Sequence, residues 1–369
     1  MRVLVVNAGS SSLKLSVLEA DDASLMTAEL PMPESAAIGD VVAQAVRDAP
    51  GVDAVGHRVV HGGLEFTSPV LVEDILEGRL QRLAELAPLH NPAAIAAILS
   101  LRSLWPDLPQ VACFDTAFHT TMPPEASTYA LPDAWRGWGL RRFGFHGLSH
   151  AWASRRALEV LGSPPGSLRL VTAHLGSGAS LAAVAGGRSV DTTMGFTPLE
   201  GLVMATRSGT VDPGVLLWVL RHERMTVDEL EDALDRRSGL LGLSGVSADL
   251  RQVLAAADHG DGRCQLAIDV YVHRLRAGVA AMAAAMGGID GLVFTGGAGV
   301  GSSRLRRDTC GGLTFLGIAL DEARNEGGDG APADRVVSRS DAVPAVLVVH
   351  AREDREIARQ VRGLLARSR

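Results

Sequence analysis

Lysine is almost absent from the chain: among 35 basic residues only Lys14 is not an arginine. Aromatic residues supply just 4% of the composition, and the net charge is -7. With arginines dispersed, that leaves neither the basic stripe nor the stacking platform that nucleic-acid binding needs, and small-molecule chemistry is expected instead. Long apolar runs are missing too. The N-terminal run stops at Asn7, and the Ala-rich stretch 277–288 is short and interrupted by glycine, so neither a signal peptide nor a membrane span is expected and the chain reads as cytoplasmic. Cys113, Cys264 and Cys310 are too few and too scattered for a disulfide framework or a zinc site. The four-residue spacings His57/His61 and His146/His150 come without a His-Glu-x-x-His pattern or thiolates, so no dedicated transition-metal site is expected.

What is present is a core-rich α/β pattern. A length of 369 residues exceeds one ordinary core, and domains of roughly 150 residues suggest two lobes, which the 47% hydrophobic content can fill. Strands are predicted at 3–7, 53–60, 110–114, 168–174, 180–185, 291–295 and 345–349. Helical spacing marks 75–86, 93–104, 148–161, 215–223, 247–257 and 264–286. Leu4–Ser12 and Val171–Ser180 are each an apolar strand that breaks into a Gly-Ser turn and continues as strand, and Gly291–Gly299 is a third strand ending in glycines. Either these are unrelated turns in a glycine-rich chain, or the architecture is duplicated and each lobe offers a turn to a shared cleft.

The lone ammonium of Lys14 follows such a turn. A compact cation behind Gly9-Ser10-Ser11-Ser12 suits phosphate oxygens, although the Gly-x-x-x-x-Gly-Lys-Ser/Thr spacing is absent and a plain surface lysine is the alternative. Polar motifs also lie at the ends of predicted strands, where open α/β sheets place ligands. They are Gly56–Gly63 (GHRVVHGG), Phe114–His119 (FDTAFH), Arg141–His150 (RRFGFHGLSH), His174–Gly178 (HLGSG) and Thr206–Gly209 (TRSG). Arg58, inside an apolar strand, must be paired or face a ligand.

These segments, with Asn7–Lys14 (NAGSSSLK), Ala87–Pro92 (APLHNP), Asp191–Gly201 (DTTMGFTPLEG) and Ser244–Asp249 (SGVSAD), closely resemble the acetate kinase family over nearly the whole chain. The resemblance implies two similar actin-like (ribonuclease H-like) lobes with a nucleotide cleft between them. The first would span 1–119 and 355–369, with the phosphate loop and an acyl-site arginine. The second would span 120–354, with the adenosine site and a homodimer interface. It implies reversible in-line phosphoryl transfer from ATP to acetate, giving acetyl phosphate and ADP. A kinase of propionate or another short acid, or a non-catalytic actin-like paralogue, would be the alternatives.

By the same resemblance Arg58, Asp115, His146 and Arg207 are the catalytic residues. Val60, Leu89, Phe145 and Pro198 line the acyl pocket. Asn7, Ser10, Ser12 and Lys14 line the phosphate path, and His174, Gly176, Ser177, Gly178, Asp249, Arg251, Gly297, Ala298 and Gly299 serve the nucleotide. Asn7 and Glu353 would hold Mg²⁺ (or Mn²⁺), with Asp115 close by. Departures cluster on the nucleotide side: Ser177 replaces the family's asparagine, Val300-Gly301 its Glu-Asn pair, Thr210 an aspartate and Arg352 an asparagine.

Overall fold

Val3–Ala8 (β1) is apolar except for Asn7 near its C-terminal end, as suits a strand covered on both faces. The computed structural model describes residues 1–9, 12–34, 37–47, 51–73, 77–83, 91–327 and 333–367. Ser10, Leu89 and His90 lie outside the described residues, as do both ends of the helix expected over 75–86, whose middle forms the helix Glu77–Arg82.

The chain forms two compact units. One comprises Met1–Thr120, Phe145–Trp152 and Arg352–Arg369, and the other Thr121–Gly144 and Ala153–Ala351. The segment around His146, far along the chain from the first lobe expected from sequence, thus packs in the first unit. In that unit β1 joins Ser12–Leu18 (β2), Ser24–Pro31 (β3), Ala54–Val59 (β4), Val70–Leu71 (β5) and Gln110–Phe114 (β6) in the order β3-β2-β1-β4-β6-β5. β1, β2 and β3 are antiparallel, β1, β4 and β6 parallel, and β5 antiparallel to β6.

Strand parity decides which helix covers which face. Leu4, Val6 and Ala8 of β1 pack with Leu13, Leu15 and Val17 of β2 against Ile38 and Val42 of one helix and Ala97 and Leu101 of another. Val3 and Val5 point the other way and join Ala54, Val111 and Cys113 beneath Ile357, Ala358 and Val361. Those last three belong to the helix Glu353–Arg367. Gly56 lies on the same face, where any β-carbon would run into Ile357 and Val361, so the absence of a side chain lets this helix sit directly on the sheet.

The second unit repeats the plan. Its strands are Arg169–Leu175 (β7), Ala179–Ala185 (β8), Arg188–Thr192 (β9), Gly291–Thr295 (β10), Arg335–Val336 (β11) and Ala345–Val348 (β12), ordered β11-β12-β10-β7-β8-β9. Read from the other edge, each strand stands where its counterpart six strands earlier stands in the first sheet, with the same parallel and antiparallel neighbours. The helix Gly262–Ala285 packs on β7, β8 and β9. The two Gly-Ser turns are hairpins, β1 to β2 and β7 to β8, as expected. The third differs: β10 leads into the short helix Gly296–Gly301. No helix among the described residues is long and apolar enough to cross a membrane.

Candidate active site

Continuing the parity one step past the apolar residues yields the site. Val3 and Val5 are followed on their face by Asn7, Ala54 and Gly56 by Arg58, and Val111 and Cys113 by Asp115. Three neighbouring parallel strands therefore bring these polar residues to their C-terminal ends, on the face covered by the helix that opens with Glu353. Contacts follow accordingly. Arg58 donates from Nη2 and Nε to Asp115 Oδ2 at 2.6 and 3.1 Å, and from Nη1 to Asn7 Oδ1 at 3.2 Å. Asn7 Nδ2 donates to Glu353 Oε2 at 3.2 Å, and that oxygen lies 3.7 Å from Arg58 Nε.

Burial alone would lower the Arg58 pKa, but the Asp115 and Glu353 carboxylates more than offset it, and the guanidinium is held charged. Burial pushes the Asp115 carboxyl up, and Glu353 adds to that push while Arg58 opposes it. Asp115 Oδ1 is buried and accepts no close hydrogen bond from the described residues, the Leu148 N–H near the carboxyl helping only to favour its ionised form. An orphaned carboxylate oxygen beside a second, slightly exposed carboxylate is a donor set that fits magnesium, which takes one or two carboxylates and completes its shell with water and phosphate oxygens.

Around this cluster the other first-unit candidates take varied places. Gly9 N donates to Ser12 O at 2.9 Å, closing the β1–β2 turn. Lys14 pairs with Asn7 in register, so the two side chains leave the same face, but its half-exposed ammonium lies 3.3 Å from Glu29. Val60 is buried at the end of β4. Phe145 is buried with its ring edge-on to His61, centroids 5.4 Å apart, and its carbonyl meets His119 Nε2 at 3.0 Å. His146 adopts a left-handed φ of 55°, uncommon for a residue with a side chain, and is half-buried. His57 is structural: its Nε2 meets Gln110 at 2.8 Å, and burial lowers its pKa to about 4.

In the second unit, the Gly176–Gly178 turn is closed by Gly176 N donating to Gly178 O at 2.9 Å, and Ser177 O accepts from Ala205 N at 3.0 Å. The turn is thereby joined to the segment carrying Arg207. Arg207 Nη1 donates to the carbonyl of Pro198 at 2.7 Å, and burial lowers its pKa against the pull of Asp235. His174 stands on β7 opposite Ser180. Gly297, Ala298 and Gly299 form the first turn of the helix after β10, and a β-carbon at Gly297 would meet open space. Asp249 caps the helix Leu250–Asp258 and holds the outward-facing Arg251 at 2.6 Å.

The sequence reading missed Arg306. It is a buried arginine whose hydrogen bonds go to neutral groups: Nη1 donates to the carbonyls of Gly299 and Val300 at 2.8 and 2.7 Å, and Nε and Nη2 to Asn325 at 2.7 Å each. Burial, aided by the nearby Arg335 cation, lowers its pKa to about 10. It thus ties down the glycine-rich helix. The available signal was phase, since Leu305, Arg306, Thr309 and Cys310 form the buried stripe of the helix Ser303–Gly311.

Comparison with known proteins agrees along the chain's length. An acetate kinase of Synechococcus sp. (strain JA-2-3B'a(2-13)) is 45% identical, with 99% of each chain covered. The crystal structure of the Porphyromonas gingivalis acetate kinase superposes with a TM-score of 0.91 at 37% identity, covering 99% of both chains. That of a propionate kinase from Francisella tularensis gives 0.89 at 33% identity, covering 97% of this chain and 98% of the other. The pattern of the acetokinase family matches residues 35–359. The chain belongs to the acetokinase family.

Proposed function

We propose that the protein catalyses reversible, in-line transfer of the γ-phosphoryl group of ATP to acetate, giving acetyl phosphate and ADP. The observation that carries this reading is the cluster in which Arg58 is held by Asp115 and Asn7 with Glu353 beside it. A carboxylate is already ionised at neutral pH, so the reaction needs positioning and charge neutralisation more than a base. Arg58 spends part of its fork on Asp115 and Asn7 and turns its remaining N–H groups to the moving phosphoryl group. Arg207, aimed by the Pro198 carbonyl, supplies the second fork. His146 donates a further hydrogen bond. Magnesium, held by Asp115 and Glu353 with Asn7 beside them, would neutralise phosphate charge.

By the family resemblance Val60, Leu89, Phe145 and Pro198 would meet the methyl group of the acid, and one methylene in such a pocket is worth about 1–3 kcal/mol. Propionate should therefore be used roughly tenfold to a few hundredfold less well than acetate. Asn7, Ser10, Ser12 and Lys14 serve the phosphates. His174, Gly176, Ser177, Gly178, Asp249, Arg251, Gly297, Ala298 and Gly299 serve the nucleotide. Trapping the acyl phosphate with hydroxylamine across a panel of acids and donors tests the reading: acetate with ATP should give product, and no product with any pair would favour a binding module.

A homodimer through the second unit fits the helix Pro213–His222, which buries none of its residues and exposes Val215, Leu217 and Trp218. Dependence on ATP and three unpaired cysteines fit the cytoplasm.

A further inference from the structure

The segment between β9 and the helix Pro213–His222 carries both Pro198 and Arg207, yet residues 193–212 have no helix or strand of their own. Something else must hold it in place. Glu200 sits at the centre of the arrangement: its Oε1 accepts from Arg142 Nη2 at 2.7 Å and its Oε2 from the Tyr129 hydroxyl at 2.6 Å. The same hydroxyl accepts from Phe196 N at 2.9 Å. Arg142 Nη1 donates to the carbonyls of Thr192, Thr193 and Met194 at 3.2, 3.0 and 3.1 Å, and its guanidinium lies over the Tyr129 ring, 5.6 Å from the centroid. Gly195 lies so close beneath the carboxylate and the phenol that any β-carbon there would collide with both.

The turn 196–199 is thus closed at one end by Tyr129 and at the other by Glu200, and the carbonyl it presents at Pro198 accepts from Arg207. The Asp235 carboxylate attracts the Arg207 charge without hydrogen-bonding it among the described contacts, so the Pro198 carbonyl is a main constraint on where its fork points. We infer that Tyr129, Arg142 and Glu200 are positioning residues that set the acyl wall at Pro198 and the aim of Arg207. None of the three needs to touch substrate. The inference rests on the roles proposed above for Pro198 and Arg207, and it extends them to three side chains that act through the main chain.

Tyr129→Phe removes a single oxygen and with it both the bond to Glu200 and the acceptor for Phe196 N. In the full-length protein, kcat/KM for acetate should fall about 10- to 100-fold, the cost of misplacing a reacting group by less than an ångström or so, while KM for ATP stays within about threefold. Propionate should lose less than acetate, because the wall it meets is loosened. Gly195→Ala, which displaces the carboxylate and phenol from the opposite side, should behave in the same way. Arg207→Ala is measured alongside. If Arg207→Ala keeps its activity, the functional reading itself fails. If Arg207→Ala is inactive while Tyr129→Phe and Gly195→Ala match the wild type, the inference fails alone. Equal losses toward both substrates, or a Tm lowered by more than about 10 °C in both variants, would make the triad a general brace and overturn the inference as well.

Discussion

Arg58 is the side chain from which most can be removed at one stroke. Arg58→Ala should lower kcat by about two to four orders of magnitude, or roughly 3–5 kcal/mol of transition-state stabilisation, and Arg58→Lys should not restore it because an ammonium cannot bridge Asp115, Asn7 and a phosphoryl group together. A variant retaining more than about a tenth of wild-type kcat in steady-state assays would rule out that role. The buried histidines act on stability instead. Burial holds His57 and His119 at about 4, below the ordinary 6.5, so the folded chain refuses protons that the unfolded chain binds. Stability should be fully present above about pH 6.5 and be lost as pH falls toward 4, by about 1.4 kcal/mol per pH unit for each histidine within that window. Urea unfolding of His57→Gln at pH 7 and pH 5 checks this: its loss of stability between the two should be smaller than that of the wild type, and an equal loss would show His57 to be protonated in the folded state.

The helix Glu353–Arg367 couples packing to chemistry, because the element that covers the odd face of β1 also delivers Glu353. Gly56→Ala should push it off the sheet through Ile357 and Val361, costing about 1–3 kcal/mol by overpacking and lowering kcat as Glu353 shifts. Thermal denaturation with kinetics tests both halves, and a variant of unchanged Tm and kcat would show that the helix adapts without consequence. The short helix Gly296–Gly301 makes a different prediction. With Val300 and Gly301 in place of polar side chains, and Ser177 in place of an amide, base recognition should be loose. GTP should then be used within about tenfold of ATP, a difference of roughly 1.4 kcal/mol, and a strong ATP preference in kcat/KM comparisons would assign recognition to backbone groups or to Asp249 and Arg251. Core strands could be read directly from sequence because β1, β4, β6, β7, β8, β10 and β12 are built mostly from apolar residues. The edges could not. β3 alternates exposed and half-buried residues with polar ones among them, and β5 and β11 are two residues long, too short for any period to register. At the site, residues belonging to contiguous motifs, such as Arg58 and Asp115, stood out. Tyr129 and Arg306 did not, because their partners are distant in sequence or are main-chain groups (Glu200 and the Phe196 N–H for one, Asn325 and the Gly299 and Val300 carbonyls for the other), and neither leaves a trace in composition.

The two sheets share one strand plan but differ in how the chain completes them. All six strands of the second lie between Arg169 and Val348, in one continuous stretch. The first has its strands within residues 3–114, yet one face waits for Ile357, Ala358 and Val361. On a ribosome adding roughly 5–20 residues per second, the segment 121–351 separates the two events by on the order of tens of seconds. Nascent chains stalled once residue 348 has cleared the exit tunnel should therefore show a protease-resistant second unit and a still-cleavable first unit, as limited proteolysis of stalled complexes would reveal. Resistance of both units at that length would mean that the N-terminal sheet folds without its last helix. Because Glu353 arrives on that same helix, a chain interrupted by a premature stop or a proteolytic cut before it would lack the carboxylate beside Arg58 along with the cover for Val3 and Val5. Emergence of the helix Glu353–Arg367 is thereby a single event that both seals one face of the first sheet and sets the second carboxylate beside Arg58.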